Sequence, residues 1–448
     1  MSGLDADLLT AVLERATALG ATAADGFLVE ERQFSASVRL GEVDTVTHSQ
    51  DQRLSLRVFA GRASAAASTS DLSRASLERV VEEAWRLARV TAEDAHAGLP
   101  DPAELIGRPP DLDLDDAGGH ELAPEAKIAI AKRAEAAALG ADPRIDNSEG
   151  ADCWDRRARY AYATSSGFVQ GYATSSFGLS VAPVARQDGQ MQRDAWYTMA
   201  RRRARLDDPE SVGRTAAARA LRRLGARQVT TREVPVIFDP ETAAGLVRAV
   251  ATAASGPSLY RRASFLVDRL GTRIASPAVT IVDDGLLPGA LGSRPFDGEG
   301  LATRRTVLVA EGVLDSYLLD TYSARKLGLR STHHAVRDGS GVTVSTTNLM
   351  LMPGTASPED LIASVEDGFY VTELIGFGVN GVTGDYSRGA AGLWIERGRL
   401  TYPVEEVTVA GTLLEMLAAV DGVANDLVLR DRTSAPTIKI ARMVVAGN

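Results

Sequence analysis

The chain holds a single cysteine, Cys153, among its 448 residues. One thiol excludes an internal disulfide and any thiolate cluster for structural zinc, and it reads as a lone buried side chain. Histidine is scarce too: His48, His96, His120, His333 and His334 are all there is. No two stand at helical spacing, as a hydrolytic metal site needs, and the neighbours His333 and His334 would point to opposite faces of a strand. No metal site is therefore expected in this chain, and no catalytic residue is named. A nucleophile elbow, G-x-S-x-G, is absent, as is a phosphate loop of the GxxxxGK[ST] kind. Other serine or threonine arrangements stay open, because a triad is assembled in space.

No stretch approaches the roughly 18 to 20 apolar residues of a membrane span. The opening MSGLDADLLTAVLERA mixes acids with apolar residues and is read as a helix, not a signal peptide. A cytoplasmic location without membrane contact is the expectation. The formal net charge of −10 makes the average surface repel phosphates, so nucleic acid is not an expected partner.

What is present is apolar area: hydrophobic residues make up 45% and charged residues 24%, enough to bury large cores in two domains. Leu8, Leu9, Val12, Leu13 and Ala16 recur at helical spacing before Gly20. From Ala24 to Ala67, period-two text with turns at Gly41 and Gly61 predicts antiparallel hairpins. Leu77, Val80, Val81, Ala84, Trp85 and Ala88 form the stripe of a second helix. Residues 94–119, rich in Pro, Asp and Gly, read as an exposed connection. A third helix runs from Pro124 to Gly140, strands follow over about 158–199, and a basic helix over about 209–224 closes the first half.

The second half opens on a strand, VPVIFD, and a small-residue helix, PETAAGLVRAVATAAS. Helix signals then fade, apart from a short helix with Ser357 as N-cap and Pro358 at its first position. Short apolar runs between glycine turns predict a compact β domain. The reading is an α+β protein: a mixed α/β antiparallel N-terminal domain over 1–228 and a mostly β C-terminal domain over 229–448.

In GFGVNG, Gly376, Gly378 and Gly381 satisfy G-x-G-x-x-G, but a dinucleotide fingerprint must open a helix, and here turn residues follow. A glycine turn that lets two backbones approach is the plainer reading. Between Gly384 and Gly389, the residues Asp385, Tyr386, Ser387 and Arg388 put acid, phenol, hydroxyl and guanidinium side by side. Such a loop can offer donors to a peptide or a partner, or be pinned by an internal pair of Asp385 with Arg388. The run Arg201, Arg202, Arg203 and Arg205 reads as a solvated face.

GVTGDYSRGAAG, with RASAAASTSDLS, DNSEGADCW, SLYRRASFLVDRLG, PFDGEG and TYSARKLGLRST in order, resembles the PmbA (TldE) half of the TldD/PmbA peptidase family almost end to end. The resemblance implies a two-domain subunit that pairs with a TldD homologue as a heterodimer, in a cytosolic complex degrading unfolded peptides in an enclosed cavity. A homodimer acting alone on peptides is the alternative. In the TldD half, HExxxH lies on the helix after the first strand of the C-terminal domain, with a cysteine as a third ligand further on. Here Arg248, Ala249 and Ala253 fall about where the two histidines and the glutamate would be, and LRDRTSAPT has no cysteine. Arginine is always cationic and alanine has no donor atom, so no cofactor is expected in this chain, and zinc is expected in the TldD partner. The segment Gly384 to Arg388 becomes part of a peptide-facing or partner-facing wall.

Overall fold

A computed structural model describes residues 3–339 and 341–447. In the first half the order is α1 (Gly3–Ala18), β1 (Ala23–Arg39), β2 (Glu42–Ala60), β3 (Ala63–Thr69), α2 (Arg74–Ala88), α3 (Pro124–Leu139), β4 (Ile145–Thr164), β5 (Val169–Gln187), β6 (Gln190–Arg193), β7 (Trp196–Ala200) and α4 (Pro209–Leu221). The strands form one antiparallel sheet in the order β3-β2-β1-β4-β5-β6, with β7 also on β5. Alternation assigns its faces. Ala161 and Ala163 pack with α1 and α2 through Leu9, Leu13, Val80 and Ala84. Further along the same face, Ala151 and Cys153 pack with Ala131, Ala134, Val212 and Ala216 of α3 and α4. Burial there pushes the Cys153 thiol up to about 11. The alternate residues, among them Arg156, Tyr160 and Tyr162, look toward the second half of the chain.

That half runs β8 (Arg232–Phe238), α5 (Pro240–Ala253), α6 (Gly256–Tyr260), β9 (Ile281–Asp284), β10 (Arg305–Ala310), β11 (Val313–Leu314), α7 (Thr321–Leu327), β12 (Ala335–Asp338), β13 (Gly341–Val344), β14 (Leu349–Leu351), α8 (Pro358–Ala363), β15 (Asp367–Ile375), β16 (Asp385–Glu396), β17 (Arg399–Thr412), α9 (Leu413–Ala418), β18 (Val420–Val423), β19 (Thr433–Ser434) and β20 (Ile438–Ala446). One sheet has the order β17-β16-β15-β8-β20-β18, and β17 also pairs with β20. Five strands thus close on themselves, which removes the free edges that an open sheet would offer. A second sheet, β11-β10-β9-β14-β19, lies across α5. Leu246, Val247 and Val250 of α5 join Phe238, Leu349 and Phe369 in one core.

The expected α+β architecture is what the chain adopts. Two readings need correcting. Helix did not fade as far as expected: α6, α7 and α9 are short but real, and α7 has a reciprocal Asp320–Ser323 capping box and a left-handed Gly328 behind it. Residues 94–119 are also no loose connection. Arg325 donates to the carbonyls of Gly98 and Leu99 at 3.1 and 2.7 Å, Tyr322 to Asp94 at 2.7 Å, and Gly289 N–H to Leu112 O at 2.7 Å. Leu112 and Leu114 are buried. The segment is a strap that ties the first half to the second, and its polar composition reflects backbone and side-chain bonds across that join.

A buried ionic seam adds to the tie. Asp25 of β1 accepts from Arg57 at 2.7 Å, from Arg337 at 2.5 Å and from Tyr162 Oη at 3.0 Å. Burial raises its affinity for a proton, but the two guanidiniums outweigh that and bring its pKa down to about 2. Ser55 Oγ donates to Gly339 O beside it.

Candidate functional site

Helix α5 is the element on which the resemblance places the ligands of zinc-bearing relatives. Asp239 caps it, accepting from Thr242 N–H at 2.9 Å and Thr242 Oγ1 at 2.8 Å. Burial pushes the Asp239 carboxyl up to about 6. The apolar stripe of α5 enters the core, which leaves Gly245, Arg248, Ala249, Thr252 and Ala253 along a hollow of about 460 Å³. The other wall of this hollow is Gly376, Phe377, Gly378, Val379 and Gly381, together with Arg388.

The glycines explain how that wall is built. Ser387 N–H donates to Gly378 O at 2.7 Å, and a side chain at Gly378 would meet Ser387 O at 1.6 Å. Gly376 and Gly384, both at positive φ, turn the chain at either end. The segment leads into a strand instead of a helix, as the backbone-approach reading of GxGxxG required. What it leaves outside is apolar: Phe377 is fully exposed, and Ile375, Val379 and Val382 are exposed around it.

The structure corrects one feature of the Asp385–Arg388 reading. These residues are no longer loop but the first residues of β16, because Asp385 to Arg388 pair with Val409 to Thr412 of β17. Strand alternation then separates them. Asp385 and Ser387 are exposed on one face, and Asp385 accepts from Thr383 Oγ1 at 2.5 Å. Tyr386 is buried in the core, which pushes its hydroxyl up to about 12. Arg388 faces the α5 hollow, donating through Nη2 to Leu374 O at 3.2 Å while its Nε finds no partner. No internal Asp385–Arg388 pair forms among the described ion pairs. Of the residues singled out from sequence, Arg388 joins the hollow, Gly384 shapes the turn before it, and Asp385, Tyr386 and Ser387 lie elsewhere.

Past Arg248 and Thr252 the surface continues into a hollow of about 390 Å³, walled by Val344 to Thr346 and by Asp431 to Thr433. Thr346 and Arg432 in turn line a cleft of about 350 Å³ against β1, β4 and β5. Shared residues make these three hollows one groove. Sequence reasoning missed its far end. Arg201, taken as one of a solvated run, is buried and donates to the carbonyls of Ser175, Ala290 and Leu291. A run of arginines does not reveal which member turns inward.

Among the described residues, no group of three or more His, Cys, Asp or Glu gathers as a metal would require. The two adjacent histidines part, though not by strand alternation, since both precede β12 and His333 has a left-handed backbone: His333 Nδ1 meets Ala302 O at 2.7 Å, while His334 is held by Asp283 at 3.0 Å and Thr332 at 2.9 Å. At the hollow itself, a guanidinium and two methyl groups cannot ligate zinc. No described helix is long and apolar enough to cross a membrane.

Family models of the PmbA/TldA metallopeptidase match domain 1 over residues 24–88, the central domain over 119–224 and the C-terminal domain over 231–447. The chain is 39% identical to "Metalloprotease PmbA" of Escherichia coli O157:H7 over 414 residues, 92% of this chain and 90% of that one. The chain belongs to the PmbA/TldD family. A crystal structure of a Bacteroides thetaiotaomicron protein superposes with a TM-score of 0.92 at 29% identity, over 100% of both chains. TldE from Thermococcus kodakarensis gives a TM-score of 0.88 at 20% identity, over 98% of this chain and 100% of that one, a likeness of fold. Relatives of this PmbA/TldD member thus carry the word metalloprotease, while Arg248, Ala249 and Ala253 of its own α5 offer no zinc ligand.

Proposed function

We propose that this chain is the metal-free PmbA/TldE-type subunit of a two-chain metallopeptidase. In this reading a TldD homologue supplies the zinc, and the chain closes the chamber and orients extended, unfolded peptides along the groove past α5. The observation that carries the proposal is the α5 hollow. It has a helix face, a glycine-built wall and an inward arginine, and it is lined by Arg248, Ala249 and Ala253, about where the resemblance to the TldD half puts the ligands. The exposed Phe377, Val379 and Val382 on that wall form the kind of apolar cluster that a partner covers. Thr433 of the short edge strand β19 lines the middle of the groove and offers backbone groups to an extended peptide, a mode of recognition that tolerates many sequences.

The test is co-purification with a TldD homologue, followed by metal analysis and peptide cleavage by each protein alone and by the pair. Stoichiometric zinc is expected only in the partner, and cleavage only in the pair. Cleavage by the isolated, chelator-treated chain would sink the proposal. Arg388→Ala is expected to slow cleavage by the pair and Asp385→Ala to weaken assembly. If both variants leave assembly and cleavage unchanged, the wall has no such role.

A further inference from the structure

The far end of the groove carries an excess of positive charge that the chain leaves uncompensated. Arg156 and Arg337 also line this cleft, but each has its carboxylate: Glu31 clasps Arg156 through two bonds of 2.5 Å, and Asp25 holds Arg337. Arg201, Arg294 and Arg432 have none among the described ion pairs. Arg201 spends three N–H groups on backbone carbonyls, which leaves two of the five donors of a guanidinium free. Arg294 reaches Ser345 O only at 3.4 Å, and its buried Nε has no partner. Burial, and then the nearby Arg432, hold Arg201 down to about 10, the effect expected of cations crowded without a counter-charge.

The acid nearest to them does not fill that role. Asp297 lines the cleft, but its oxygens accept from the backbone N–H groups of Glu299, Leu301 and Ala335 at 2.9 to 3.1 Å. Burial and then the adjacent Glu299 raise its pKa above the usual carboxylate range, with Arg294 acting against that shift, which makes it a weak counter-charge. The end wall is aromatic: Tyr160 and Tyr172 have ring centroids 5.0 Å apart, and Phe296 meets Tyr172 edge-on at 5.2 Å. Two features thus converge, unpaired donors and an apolar wall, at the point where the groove runs into the sheet. A bare inorganic anion would use only the first. A planar carboxylate on a chain end with an apolar side chain uses both.

We propose that this cleft is an anchoring subsite for the free α-carboxylate of a peptide, held by Arg201, Arg294 and Arg432, with the last side chain against Tyr160, Tyr172 and Phe296. The subsite fixes the end of the peptide and so the direction in which it lies past Arg248. It rests on the groove being peptide-binding, and the experiment separates the two.

The probe is a short unstructured peptide of alanine, glycine and serine ending in phenylalanine, fluorescein-labelled at its N-terminus, in acid and C-terminally amidated forms. Fluorescence anisotropy with the isolated full chain is expected to show about tenfold weaker binding of the amide, the scale of a charge-assisted hydrogen-bond set. Arg432→Gln, at an exposed position, is expected to bind both forms equally, as is Arg294→Gln. Equal binding of acid and amide by the unaltered chain overturns the subsite, and so does displacement of the acid by inorganic phosphate at low millimolar concentration. Cleavage of both forms by the reconstituted pair is the second arm. An active pair that ignores amidation overturns the anchor and leaves the proposed function standing. An inactive pair with amide-sensitive binding does the reverse.

Discussion

Two groups of arginines meet around Arg337, and the chain treats them differently. Arg57 and Arg337 converge on Asp25, with Tyr162 completing its shell. A few residues away in space, Arg201, Arg294 and Arg432 converge on open volume. Taking charges out of water costs several kcal/mol unless they are paired. In the first group the chain supplies the counter-charge itself, and the result is a rivet between its halves. In the second it leaves cations facing a cleft, and solvent or a ligand must complete them. The difference separates charge used for architecture from charge held in reserve for a visitor.

Removing the paired acid breaks that comparison most severely. Asp25→Ala leaves the buried Arg337 without a carboxylate and Arg57 with only Glu299 at 3.6 Å, and a loss of about 3–5 kcal/mol is expected in urea unfolding. Acid titration comes next. Because the Asp25 carboxyl is held down to about 2 in the folded chain, its contribution is fully present above its ordinary pKa near 4 and is lost as pH falls through about 2. It amounts to about 2 kcal/mol. The stability gap between the unaltered chain and Asp25→Asn should therefore shrink across that interval, and a gap that stays constant contradicts the seam. Phe377→Ser should cost about 1 kcal/mol or more in association with a TldD homologue, read by titration calorimetry, with the midpoint of unfolding unmoved. Smallest of all, Arg432→Gln should change stability by no more than about 0.5 kcal/mol. A large loss there would make the second group architectural like the first.

The elements with regular periodicity were legible before any coordinates. The stripes of α1 and α2, Pro124 and Gly140 around α3, and Ser357 before α8 all announce themselves locally. What stayed hidden depends on residues far apart in sequence. The strap over 94–119 is polar because its bonds are made to Gly289, Tyr322 and Arg325, which local composition registers as exposure. Asp385 to Arg388 sit between glycines and read as loop, yet pairing with β17 makes them strand and sends Arg388 and Asp385 to opposite sides. The groove was half visible. Arg388 and α5 stood out through their resemblance to a known pattern, whereas Arg201, Arg294 and Arg432 meet only because the segments after β7, β9 and β18 pack together. No spacing rule links them.

The rivet at Asp25 also sets an order of events during synthesis. Asp25 and Arg337 are 312 positions apart, so a ribosome releases the complete first half long before its second cation exists. Until then the face of the sheet bearing Tyr160 and Tyr162 lies open to water, and the strap has no Arg325 to grip. Domains fold as they emerge, but this one emerges with its latch undone. A nascent chain arrested ahead of Ala335 should be cut by protease within 94–119, and the same bonds should be silent once Arg337 has left the exit tunnel. The last quarter of the polypeptide therefore decides when the first is safe.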